Sequence, residues 1–68
     1  MAIDTTHATL LQTMTFARLE DMQSKFRQLG AVRRGIDMQG RELFKTAAGL
    51  VLRLAGPGRV DVLSNCAC

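Results

Sequence analysis

The two cysteines of this chain, Cys66 and Cys68, are the residues whose type and spacing best suit chemistry. A thiol can be alkylated, can form a disulfide or can bind a soft metal ion. Ser64 lies two residues before Cys66 and adds a hydroxyl group to the same segment. We therefore predict Ser64, Cys66 and Cys68 as candidate modification sites. The competing interpretation is an exposed tail whose thiols have no role in the folded protein.

The Cys66–Ala67–Cys68 ending resembles the doubly geranylgeranylated tails of Rab-family small GTPases. The resemblance covers these three residues, and the chain has no glycine-rich phosphate loop. It implies two attached lipid chains, which together anchor a protein stably to a membrane. We expect membrane contact only in such a lipidated form, because the sequence has no apolar run long enough for a transmembrane helix.

A second interpretation treats residues 57–68 as the core of a modified peptide. In precursor peptides of ribosomally made natural products, a helical leader docks on the modifying enzyme, and a C-terminal core supplies Ser, Thr and Cys for cyclisation. Ser64, Cys66 and Cys68 match such a core, and Leu54, Ala55 and Gly56 resemble a small-residue cleavage site for the leader.

The rest of the sequence contains no recognisable catalytic set. His7 is the single histidine, and although Asp4 is near it in sequence, no serine or cysteine nucleophile accompanies the pair. A tetrahedral zinc site needs four ligands, which only a dimer contributing both cysteines of each chain would supply. We therefore predict no enzyme, no cofactor and no metal ion.

The charge of the chain is mildly basic. Nine basic and six acidic residues give a net charge of +3. Arg33, Arg34, Arg41 and Lys45 could present a basic edge to phosphate or to an acidic protein, but acidic residues are interspersed with them. Weak nucleic-acid binding is therefore the third functional alternative, after assembly and modification, because a dedicated module usually has a more concentrated basic stripe.

Apolar residues recur at helical spacing in the first half of the chain. Leu19, Met22, Phe26 and Leu29 follow one another at intervals of three or four residues. This is the pattern of one face of an amphipathic helix. Gly30 follows as a residue that can end a helix in a left-handed conformation. The pattern predicts a first helix over residues 6–29.

A similar pattern predicts a second helix over residues 41–55. Leu43, Ala47, Leu50 and Leu54 recur at helical spacing, and Gly56 with Pro57 would stop the helix. Residues 30–40 contain three glycines and are interpreted as a connector, with an early turn of the second helix as the alternative. Residues 57–68 are predicted as an extended, flexible tail, because Val60 and Val62 alternate with charged residues.

Together these elements predict an all-α fold, a two-helix antiparallel hairpin over residues 1–56. A chain of 68 residues buries only about 60% of its unfolded surface, so we expect an oligomer or a larger partner to complete the fold. The sequence has no secretory leader pattern, which favours an intracellular, cytoplasmic location. The predicted function is a protein–protein interaction or assembly module, as a homo-oligomer or an accessory subunit. Its predicted interface consists of apolar residues from both helices: Leu19, Met22, Phe26, Leu29, Leu43, Phe44, Ala47, Leu50, Val51 and Leu54.

Overall fold

The structure is a computed structural model that describes residues 2–64. This part of the chain forms a six-stranded sheet with one helix. The elements are β1 (Ala2–Ile3), β2 (Leu10–Thr15), α1 (Leu19–Gln28), β3 (Val32–Asp37), β4 (Glu42–Lys45), β5 (Val51–Gly56) and β6 (Arg59–Leu63).

The strands lie in the spatial order β1-β3-β4-β5-β6-β2. β1 pairs with β3 in parallel, and every other pair of neighbouring strands is antiparallel. β3 to β6 therefore form a meander of hairpins, whereas β2 reaches the far edge and pairs with β6. α1 connects β2 to β3 across one face of the sheet. Residues 4–9 run between the two edges, and Ala8 packs on the opposite face.

The predicted all-α fold, a two-helix hairpin, is wrong, because the described residues are mostly β-sheet with one short helix. Residues 6–29, predicted as one helix, contain β2 before α1. Residues 41–55, predicted as the second helix, contain β4, a turn and β5. Leu and Ala favour helices in isolation, but strand pairing and burial override that preference, which is worth less than about 1 kcal/mol per residue.

The connector and the tail also contain strands. β3 occupies most of residues 30–40, and β6 lies within residues 57–68. The alternation of Val60 and Val62 with charged residues does belong to a strand. This strand finds a ladder partner on each side, in β5 and β2, rather than remaining unpaired.

Three tight turns join the strands of the meander, and each contains a glycine with positive φ. Gly40, Gly49 and Gly58 have φ values of 81°, 90° and 68°. In the first turn, the Asp37 carboxylate accepts hydrogen bonds from the backbone N–H groups of Gln39 and Arg41, at 2.9 and 2.8 Å. A carboxylate that bonds the backbone two residues ahead stabilises a turn locally.

Gly56 and Pro57 were predicted to stop a helix, and this assignment is wrong. They lie in the hairpin turn between β5 and β6, where Gly56 is paired with Arg59. Pro57 fixes φ near −65°, and Gly58 supplies the positive φ that follows it in a type II turn. The same two residue types end a helix or make a hairpin turn, so the pair alone does not distinguish these outcomes.

The sheet has an apolar cluster on each face. On the face away from α1, Leu43, Val51 and Leu63 are buried, and Ile3 and Ala8 pack against them. On the α1 face, the buried residues are Leu52, Val60 and Val62. The partly buried residues around this second cluster include Met14, Phe16, Met22, Phe26, Leu29, Ala31, Phe44, Leu50 and Leu54.

α1 lies on the sheet through the residues that its helical spacing predicts. Met22, Phe26 and Leu29 pack against the cluster around Leu52, whereas Leu19 keeps 64% of its surface exposed. α1 ends at Gln28 with Leu29 as its C-cap, and Gly30 follows in the predicted left-handed conformation, with a φ of 68°. The N–H groups of Gly30 and Ala31 donate to the carbonyl groups of Arg27 and Phe26, which satisfies the helix end in a Schellman motif.

Candidate interaction site beside the helix

An open apolar groove lies between α1 and the strands on the same face of the sheet. Its volume is about 480 Å³. The helix supplies one wall, and β4, β5 and the residue that precedes β3 supply the rest. We call this site the helix-side groove. It is lined by Leu19, Met22, Gln23, Phe26, Arg27, Ala31, Phe44 and Leu54.

The groove exists because one helix is too narrow for a sheet of this width. Six strands at a spacing of about 4.8 Å span about 24 Å. A helix with its side chains is about 10 Å wide, and ten residues make it about 15 Å long. α1 therefore covers the part of the face near β5 and β6, and the part over β4 and β3 stays open.

Two aromatic rings form the floor of the groove. The ring centroids of Phe26 on α1 and Phe44 on β4 are 4.8 Å apart, and the ring planes meet at 66°. This edge-to-face arrangement is favourable by about 0.5–1.5 kcal/mol beyond the burial of area. Both rings are only partly buried, so an apolar side chain entering the groove would contact their accessible parts.

The rim of the groove carries positive charge on the helix side. Arg27 lines the groove, and it forms no ion pair with another residue in the described part of the chain. Arg33, which lies opposite Phe44 on the neighbouring strand β3, forms an ion pair of 2.9 Å with Glu42, and the two side chains are 56% and 46% exposed. An exposed pair of this kind adds little stability, but it neutralises the charge of Arg33.

The structure brings five of the ten predicted interface residues into this one groove: Leu19, Met22, Phe26, Phe44 and Leu54. Leu29 and Leu50 line a smaller cavity of about 200 Å³ on the other flank of α1. Leu43 and Val51 are buried in the cluster on the opposite face, so they lie inside the protein. Ala47 is exposed in the turn between β4 and β5.

Sequence patterns did not identify three of the eight residues that line the groove. Gln23 and Arg27 flank Phe26 on α1, and Ala31 follows the helix, but none of them belongs to an apolar repeat. Gln23 and Arg27 are four residues apart, and each directly follows an apolar residue, Met22 or Phe26, which places both beside the apolar stripe of the helix. Polar residues beside an apolar helical stripe are the sequence signal from which the rim of the groove could have been predicted.

Ser64 is the one predicted modification site within the described residues. Its backbone N–H donates to the carbonyl of Thr9 at 2.8 Å, and its hydroxyl oxygen accepts from the N–H of Thr9 at 2.7 Å. Ser64 therefore extends the pairing of β6 with the segment before β2. Cys66 and Cys68 lie outside the described residues.

The face opposite the groove contains two buried carboxylates, each paired with an arginine. Asp61 on β6 contacts Arg53 on β5, with 2.7 Å between Oδ2 and Nη2. Burial raises the pKa of Asp61, but the hydrogen bonds from Arg53 and Thr13 and the Arg53 charge outweigh it and hold that pKa below its ordinary value of 3.8. The arrangement is a charge-neutral structural pair.

Asp37 is held in the same way at the turn between β3 and β4. Burial raises the pKa of Asp37, whereas two backbone N–H groups and the charge of Arg41 lower it by more, so the pKa lies below 3.8. Arg41 Nε is 3.1 Å from Asp37 Oδ2. Arg33 and Arg41 of the predicted basic edge are thus both paired with carboxylates, while Arg34 is exposed and Lys45 half-buried.

The described residues contain no group of three or more His, Cys, Asp and Glu side chains placed to hold a metal ion. His7 is exposed in the segment between β1 and β2. Within residues 2–64, no helix has both the length and the apolar character needed to cross a membrane.

Comparison of the chain with protein-family models, with curated proteins and with solved structures gave no match.

Proposed function

We propose that this chain is a protein-binding module, an accessory subunit that holds an amphipathic helix of a larger protein in the helix-side groove. The observation that carries the proposal is the open apolar groove beside α1, with Leu19 exposed at its edge and two aromatic rings at its floor. Exposed apolar surface gathered at one concave site is typical of a binding surface. Such a function requires no catalytic group.

The shape of the uncovered surface favours a helix as the bound element. A sheet face is normally covered by a complete layer, and α1 leaves room for one more helix on this face. Packed helices lie 8–10 Å apart, so a helix placed alongside α1 would rest on Phe44 and Leu54. A second copy of α1 is a poor occupant, because its own apolar residues already pack on its own sheet.

The charge of the rim favours a partner helix with acidic residues beside its apolar stripe. Arg27 lines the groove, and the whole chain has a net charge of +3. Acidic residues on the partner would contact the Arg27 side of the rim, where opposite charges increase the association rate and fix orientation. The pairing of Arg33 and Arg41 with carboxylates supports a protein partner over a nucleic-acid backbone.

The proposal is tested with two synthetic helical peptides that share a leucine stripe and differ only in their flanking residues, glutamate in one and lysine in the other. We expect the glutamate peptide to bind and the lysine peptide to bind at least tenfold more weakly. The measurement is fluorescence anisotropy of the labelled peptide, titrated with the full chain.

The matched variants are Leu19→Gln and Met38→Gln. Both replace an exposed apolar side chain by an uncharged polar one, since Leu19 is 64% and Met38 is 72% exposed, but only Leu19 lines the groove. Losing the burial of a leucine weakens binding by about tenfold or more. We therefore expect weaker binding for Leu19→Gln alone. Equal binding by both variants, or no binding of either peptide by the unaltered chain, would contradict the proposal.

A further inference from the structure

The edge strand β2 has a free side along its whole length in the described residues. It lies at the end of the sheet and pairs only with β6. Five of its six residues are exposed, including Leu10 and Leu11 at 54% each. A strand edge with unpaired N–H and C=O groups is a template for pairing with another strand.

The backbone geometry identifies the groups that face outwards. Phe16 N–H donates to the carbonyl of Gly58 at 2.6 Å, so this residue pair is hydrogen-bonded. Hydrogen-bonded pairs alternate along an antiparallel ladder, which makes Met14 and Val60 the next such pair. The N–H and C=O groups of Thr13 and Thr15 therefore point away from β6.

The side chains of this edge leave it unprotected. Natural edge strands commonly carry lysine, other charges or proline, which prevent pairing with another chain. No charged residue and no proline occurs between residues 8 and 17. The register shift at Leu11 is a bulge, but it lies at one end of β2 and leaves residues 12–15 in regular pairing.

The opposite edge of the sheet differs in this respect. There β1 covers only Ile36 and Asp37 of β3, and the uncovered part of β3 includes Arg33 and Arg34. Two copies of that edge would bring like charges close together, which is unfavourable. Of the two edges of the described sheet, the one formed by β2 carries no charged residue, whereas the one formed by β1 and β3 includes Arg33 and Arg34.

We propose that β2 pairs with β2 of a second copy, antiparallel and about a twofold axis, to form one continuous twelve-stranded sheet. The outward groups of Thr13 would pair with those of Thr15 in the other copy, and Met14 would face its counterpart at the axis. Threonine pairs across strands are favourable. Because each chain has one such edge, the association closes at a dimer. This surface is separate from the helix-side groove.

The test compares Thr15→Pro with Thr15→Val by sedimentation of the full chain, from about 1 µM to about 1 mM. Proline removes an N–H group that faces outwards and is tolerated at such edge positions, whereas valine keeps the N–H group. We expect the unaltered chain and Thr15→Val to become dimers with increasing concentration, and Thr15→Pro to remain a folded monomer by circular dichroism. A dimer of Thr15→Pro, or a monomeric unaltered chain at the highest concentration, would overturn the proposal.

Amide hydrogen exchange tests the same pairing without a substitution, which matters if Thr15→Pro fails to fold. We expect the amide hydrogens of Thr13 and Thr15 to exchange rapidly at low concentration and at least tenfold more slowly in the dimer. The Met14 amide should be protected in both states, because it bonds to β6. Thr13 and Thr15 amides that exchange equally fast in monomer and dimer would overturn the proposal.

Discussion

The backbone N–H of Phe16 donates a hydrogen bond of 2.6 Å to the carbonyl oxygen of Gly58. This bond ties the hairpin turn between β5 and β6 to the end of β2, just before α1 begins. A Cβ atom added at residue 58 would overlap the carbonyl oxygen of Phe16. The turn therefore needs glycine for space as well as for its positive φ of 68°.

Three glycine-to-alanine substitutions should separate the requirement for space from the requirement for a positive φ. We expect Gly56→Ala to change the free energy of unfolding little, because its φ is ordinary and its Cβ would meet no atom. Gly40→Ala adds only the strain of a left-handed residue, about 1–2 kcal/mol. Gly58→Ala adds the overlap as well and should cost about 3 kcal/mol or more. Urea unfolding measures the series, and an equal effect at residues 56 and 58 would contradict the turn assignment.

The spacing of these glycines was the clearest available indication of the fold. Gly40, Gly49 and Gly58 recur every nine residues; β4 lies between the first two, β5 between the second and third, and β6 follows the third. Turn residues at intervals of 8–12 residues are typical of consecutive strands. The helical interpretation instead followed Leu43, Ala47, Leu50 and Leu54, whose spacing arises because two short strands and a turn happen to fall at those intervals.

The helix and the three groove residues that repeat along it could be predicted from the sequence, because they depend on one local pattern. Leu19, Met22 and Phe26 repeat within a single helix and needed no knowledge of the sheet. Phe44 and Leu54 join them only because the sheet brings β4 and β5 under α1, which is a long-range arrangement. Such pairings depend on tertiary context, which single-residue propensity does not contain.

Leu52 provides a stability test of strand against helix. It was absent from the apolar repeat of the predicted second helix, but it is 1% exposed in the structure, like Leu43. Leu52→Ala and Leu43→Ala should each lower the free energy of unfolding by about 2–5 kcal/mol. Leu10→Ala is the matched control, since Leu10 is 54% exposed, and we expect less than about 1 kcal/mol there. Chemical denaturation of the three variants provides the comparison, and a tolerant Leu52 would contradict the strand register.

The ion pair between Arg53 and Asp61 should contribute more to the free energy of unfolding than an exposed ion pair would. The side chains are 18% and 7% exposed, so Arg53→Met leaves a carboxylate in a poorly hydrated place. We expect a loss of about 2–3 kcal/mol at neutral pH. Arg34→Met, at an exposed arginine, should change stability little. Thermal or urea unfolding of both variants tests this, and equal effects would show that the pair contributes nothing specific.

Stability should also decline in acid because of the same carboxylates. The pKa values of Asp37 and Asp61 lie below 3.8 in the folded protein, so the unfolded chain binds protons more readily. Their stabilisation is therefore fully present above the ordinary value and is lost as pH falls through the folded pKa values. Urea midpoints measured from neutral to acidic pH should decline only at the acidic end. Asp61→Asn should flatten that decline, and an unchanged slope would contradict the assignment.

The most direct test of the proposed function is a nuclear magnetic resonance titration of the labelled full chain with the glutamate-flanked helical peptide. We expect chemical-shift changes concentrated on Met22, Gln23, Ala31, Phe44 and Leu54, which line the groove, while Ile3 and Ala8 on the opposite face stay unchanged. Shifts confined to the opposite face, or no shifts at millimolar peptide, would contradict it.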